Sequence, residues 1–142
     1  MKKKFILICC FLFINLQVSA NNFDEIEIEN QKCIENTFPY NYPNCAIQNE
    51  KNWDIEINNQ LKKLEKIMKK EDYNIVMQSQ EDWKKFITTN KKMINKFISN
   101  RPGIVNQTIG YATIADLKRQ RAKLLDLIYY NYKDELELKK YE

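Results

Sequence analysis

The residues best suited to acid–base chemistry are four acidic pairs, Asp54/Glu56, Glu71/Asp72, Glu81/Asp82 and Asp134/Glu135. Paired carboxylates can divide the roles of general acid and base when their surroundings push their pKa values apart. Lysines crowd all four pairs, a pattern that reads as solvated surface charge. The chain has no histidine, so the usual general base and triad partner is missing. No nucleophile elbow, phosphate loop or metal-ligand spacing is present. The sequence therefore predicts no catalytic, cofactor-binding or metal residues, and no enzyme.

Cysteine is the other reactive type. Cys9 and Cys10 lie in the apolar run Phe5–Phe13, which follows the basic start Met1-Lys2-Lys3-Lys4 and precedes Val18-Ser19-Ala20. A basic n-region, a short apolar core and small residues before Asn21 form an export signal, with cleavage after Ala20. The run is well short of the ~20 residues a membrane span needs. Its cysteines come too early for a lipoprotein site. The expectation is a periplasmic or secreted protein with no stable membrane insertion after cleavage. Loss of Lys2, Lys3 and Lys4 takes the basic side chains from 23 to 20 against 19 acidic ones, and the net charge from +4 to +1. The basicity is then mostly targeting, and it offers no argument for nucleic acid.

Cys33 and Cys45 remain, and in an oxidising compartment they are expected to form a disulfide. Two thiolates without a third ligand do not complete a zinc site. They enclose Phe38-Pro39-Tyr40-Asn41-Tyr42-Pro43, whose prolines argue against a regular helix. Phe38, Tyr40 and Tyr42 are candidate partner contacts, because rigid amphipathic rings bind at low entropic cost. They could equally cap the end of the core.

Helices must position these residues. Residues 21–32 alternate acidic and apolar side chains, and with no partner strand in view they predict an extended or loosely helical arm. Residues 33–140 form one helical domain. Trp53, Ile57, Leu61, Leu64 and Ile67 or Met68 make one stripe, predicting a helix over about 52–70. Lys69-Lys70-Glu71-Asp72 is the expected turn, with Asp72 as N-cap. A second helix over 72–99 carries Ile75, Val76, Trp83, Phe86, Ile87, Ile94, Phe97 and Ile98 on one face. Asn100-Arg101-Pro102-Gly103 ends it, and Ile104–Gly110 reads as a loop. A third helix over 112–139 has the stripe Ile114, Leu117, Arg121, Leu124 and Ile128, with Asp116, Lys118, Arg119 and Lys123 facing solvent. The predicted fold is an all-α antiparallel bundle of three main helices with an N-terminal disulfide-closed loop.

Arg121 interrupts an apolar stripe, where an unpaired guanidinium would cost several kcal/mol. A carboxylate partner is expected, Asp54 first and Asp82 second, with Asn58 or Gln80 joining a network beside Trp83 that sets helix register.

Three blocks of this sequence resemble a known family. Trp53-Asp54-Ile55-Glu56-Ile57-Asn58-Asn59-Gln60-Leu61, shortly after Cys45, is similar to the first signature of the LprI-type lysozyme-inhibitor family. Gln80-Glu81-Asp82-Trp83-Lys84-Lys85-Phe86 resembles its second. Gly110-Tyr111 with Leu117-Lys118-Arg119-Gln120-Arg121-Ala122-Lys123-Leu124 resembles its third. Order and spacing agree across residues 33 to about 128. The first block ends in Leu61 where the family has tyrosine, and Ile87 stands where it has arginine. A second cysteine pair common in the family would fall near Lys91 and Thr113. The resemblance implies a small exported helical protein and, for some relatives, inhibition of lysozyme. It implies a non-enzymatic protein that binds a muramidase sterically. The alternative is a structural or interaction module of the cell envelope that binds another periplasmic protein. A third reading is peptidoglycan or membrane-surface binding through the lysine face of the central helix.

Overall fold

The computed structural model describes residues 22–140; the export signal expected over 1–20 lies outside them. Four α-helices follow one another, α1 (Asn22–Glu35), α2 (Tyr42–Ile67), α3 (Lys70–Asn100) and α4 (Ile104–Leu138), with a 3-10 turn at Pro39–Asn41 and no strand among the described residues. The all-α bundle is as the sequence predicts, with one helix more than the three expected.

That extra helix is the N-terminal arm. Phe23 and Ile26 are buried and Phe23 meets the Trp53 ring with centroids 5.9 Å apart, while Ile28 stays exposed. Burial of an i, i+3 pair against α2 thus decides the conformation, over the local alternation. The Cys33–Cys45 disulfide joins α1 to α2 with Cα atoms 5.7 Å apart. α2 begins ten residues earlier than the stripe suggested, because Pro43 sits in its first turn, where the missing N–H removes no helical bond.

Side-chain pairings fix the topology. Glu50 and Asp54 meet Lys118, and Lys63 lies over Tyr129, so α2 and α4 run parallel. Asp72 meets Tyr132, Gln80 meets Arg121 and Gly110 lies against Ile98, so α3 runs antiparallel to α4. The core lies between α1, α2 and α4, with Trp53, Leu64, Ile114 and Leu125 fully buried. Ala115 and Ala122 are also sealed; their small side chains let α2 approach α4.

The α2–α3 turn is at Met68–Lys69, so Lys69 and not Asp72 occupies the N-cap. Asp72 serves tertiary structure instead. The Tyr132 hydroxyl donates to its carboxylate at 2.9 Å and accepts from the Lys69 N–H at 3.1 Å.

The Ile104–Gly110 segment is helical, not a loop. Gly103 alone makes the reversal, with φ at +144°, a conformation that L side chains rarely adopt. Gly110 plays a different part. A Cβ there would stand 2.6 Å from Ile98 Cδ1 and 2.9 Å from Ile94 Cγ2, so its lack of side chain lets α3 and α4 pack as a tight hairpin.

The eight apolar positions of α3 do not share one buried face. Val76 and Ile87 are buried, Trp83, Ile94 and Ile98 are half-buried, and Ile75, Phe86 and Phe97 are exposed. The exposed three recur every eleven residues, about three helical turns, and so form a ridge beside the packed face. On α4 the buried line runs through Ile114, Lys118, Arg121 and Leu125, whereas Leu124 is 46% exposed.

Candidate functional site

A cleft of about 370 Å³ opens between α2 and α3. Asp54, Ile57 and Asn58 line it from α2, Gln80, Trp83, Ile87 and Lys91 from α3, and Lys118 from α4. The structure therefore brings the residues singled out in α2 and α3 to one cleft, which Lys118 of α4 completes. It does not connect them as the sequence suggested.

Asp54 does not pair with Arg121. Its carboxylate accepts from Lys118 Nζ at 2.5 Å, and Lys118 also donates to Glu50 at 2.8 Å. Lys91 of α3 closes the set with a further ion pair to Glu50. Lys118, expected in solvent, is only 4% exposed. Burial alone would raise the Glu50 carboxyl, but hydrogen bonds and charge from Lys118 and Lys91 outweigh it and hold the group below its ordinary value. Carboxylates thus alternate with ammonium groups across three helices. This lattice ties α2, α3 and α4 together at one level.

Arg121 is buried as expected, but none of its contacts is a carboxylate. Its Nε donates to Gln80 Oε1 at 2.9 Å and one terminal nitrogen to Ser79 Oγ at 3.2 Å. The guanidinium stands 6.0 Å from the Trp83 ring centroid. Its other terminal nitrogen has no partner among the described residues. Burial accordingly pushes the group below its usual range, as desolvation does for any cation. Asp82, the second candidate, is exposed and pairs with Lys85 at 2.9 Å. Asn58 lines the cleft but is exposed. Gln80 is the member of the expected network that does contact Arg121.

Not every acidic pair is solvated. Glu56 is buried and accepts amide hydrogen bonds from Asn22, Asn59 and Gln60, the last at 2.6 Å. Burial pushes the nearby Asp126 carboxyl up; Glu56 adds to the rise, against Lys63 and Gln60. Among the described residues no group of three or more histidine, cysteine, aspartate or glutamate side chains is arranged to hold a metal.

Sequence reasoning missed Lys118, Glu50 and Lys91. A signal for the first existed: Lys118 lies four residues after Ile114 and three before Arg121, on the line joining them. Glu50 follows as the residue one turn before Asp54. The apolar stripe of the sequence runs instead through Leu117 and Leu124, the larger apolar side chains.

The third candidate group sits at the disulfide end. Phe38 and Tyr40 are 69% and 62% exposed, and their rings stack with centroids 5.8 Å apart and an interplanar angle of 6°. Pro39 separates them and starts the 3-10 turn, whose Asn41 N–H donates to the Phe38 carbonyl. Tyr42 is half-buried in the first turn of α2. Capping of the core therefore falls to Tyr42 and Pro43, while Phe38 and Tyr40 face outward. In comparison with known proteins, the chain matches no protein-family model, no curated protein and no solved structure.

Proposed function

We propose that this is an exported, non-enzymatic binding protein, similar to the LprI-type lysozyme inhibitors, that occupies the cleft of a muramidase with its disulfide-closed loop. The observation that carries this reading is the exposed, stacked Phe38–Tyr40 pair. Pro39 and the Cys33–Cys45 bridge restrain the pair before any partner arrives, so little ordering entropy opposes binding. Tyr42 holds the base of the loop.

Charge distribution also supports it. A net charge of +1 would attract a basic enzyme poorly. The charge is segregated, however. α1, which leads directly into the loop, carries Asp24, Glu25, Glu27, Glu29 and Glu35 against the single basic residue Lys32. Glu27 is paired with Arg119 and Lys123 of α4, which leaves Asp24, Glu25, Glu29 and Glu35 to draw a cationic partner toward the loop.

A lysozyme turnover assay with the oxidised protein tests the reading. Inhibition is expected at micromolar concentration, with at least a tenfold loss on Phe38→Ala/Tyr40→Ala, since central aromatic contacts are typically worth 2 kcal/mol or more. No inhibition at micromolar excess overturns it.

A further inference from the structure

We propose that the tip of the α3–α4 hairpin docks on an anionic lipid bilayer. Between Trp83 and Ala115 the chain has six basic residues, Lys84, Lys85, Lys91, Lys92, Lys96 and Arg101, and no acidic one. The first three are engaged, with Glu81, Asp82 and Glu50. Lys92 and Lys96 pair with no carboxylate among the described residues, and Arg101 lies over the Phe97 ring at 5.1 Å. Unspent positive charge therefore runs from Lys92 to the reversal at Gly103.

Apolar surface collects at the same place. Met93, Phe97, Ile104, Val105 and Ile109 are all exposed, Val105 at 70%. The reversal between the helices, from Ser99 to Val105, is exposed throughout. These side chains come from both helices, on either side of the reversal at Gly103. Exposed apolar side chains beside lysine and arginine fit a deformable interface with negative headgroups over acyl chains. The packing of Ile94 and Ile98 on Gly110 keeps the two helices together as one wedge. Among the described residues no helix is long and apolar enough to cross a membrane, so attachment would be to the surface. This inference is independent of the aromatic loop and of lysozyme.

Vesicle sedimentation tests it, using the disulfide-bonded chain from Asn21 onward, which contains the whole described core without the apolar N-terminal run. Binding to phosphatidylcholine vesicles containing about a third phosphatidylglycerol should exceed binding to pure phosphatidylcholine by about tenfold or more and weaken with salt. Lys92→Gln/Lys96→Gln should reduce it about fivefold per lysine removed. Phe97→Ser/Val105→Ser should abolish it with helicity and melting temperature little changed, because neither side chain is in the buried core. Equal binding to neutral and anionic vesicles, or to neither, overturns the proposal. So does tight binding to polyglutamate that ignores Phe97→Ser/Val105→Ser, which would mark an acidic protein as the partner.

Discussion

α2 and α3 are both long, uninterrupted helices of similar composition, yet they are held very differently. Ten residues of α2 are buried, from Pro43 to Leu64, and they meet α1 on one side and α4 on the other. α3 is longer, 31 residues against 26, and buries only Val76, Gln80 and Ile87. α2 is flanked by two neighbours, whereas α3 packs chiefly on α4 and is splayed from α2 by the cleft around Trp83. An amphipathic stripe fixes which face of a helix can be buried. The number of neighbours fixes how much of it is.

Mutations can break that comparison. Leu64→Ala, in a fully buried site of α2, should cost about 3–4 kcal/mol. The same change at Ile87 of α3 should cost about 2 kcal/mol, because the cleft beside it already gives the site room to relax. Equal losses in denaturant unfolding would mean that α3 is as firmly held as α2.

Reduction of Cys33–Cys45, or Cys33→Ser/Cys45→Ser, should remove about 3 kcal/mol through loop-closure entropy. It should loosen α1 more than α3. Hydrogen exchange resolves the two: faster exchange in α1, with α3 unchanged, is the expected pattern.

The lattice that ties α3 to the body should weaken in acid. The Glu50 carboxyl lies below its ordinary value in the fold, so its contribution is complete above the unfolded pKa, about 4.3. It is lost as pH falls through the lower folded value. Glu50→Gln should therefore destabilise the protein at neutral pH by about 1–2 kcal/mol and flatten the acid limb of stability against pH. A parallel acid limb in the variant would assign the loss to other carboxylates. The smallest effect is expected at the exposed ridge of α3, where Phe97→Ser should change stability by less than about 0.5 kcal/mol.

Much of this could be read from the sequence. Trp53, Ile57, Leu61 and Leu64 were placed correctly because their spacing marks one face and all four are large. The α1 helix was harder, since Asp24-Glu25-Ile26-Glu27-Ile28-Glu29 has both a strand-like and a helix-like reading until Phe23 and Ile26 find Trp53. The segment Ile104–Gly110 reads as a loop in the sequence; in the fold it is helical, and Gly110 makes room for Ile94 and Ile98. In the site, Arg121 was correctly marked as buried. Its partners were misassigned because charge suggested a carboxylate, whereas helix register delivered the amide of Gln80 and the hydroxyl of Ser79.

The sequence by itself determined the helical class, the long α3 and the burial of Arg121, which follow from spacing along one helix, and the cysteine bridge, which follows from two cysteines twelve residues apart. Only the tertiary structure decided that Lys118 bridges Glu50 and Asp54, and that the ridge of Ile75, Phe86 and Phe97 lies open. Spacing places a residue on a face. Which faces meet, and at what register, depends on how small residues such as Ala115, Ala122 and Gly110 let neighbouring backbones approach.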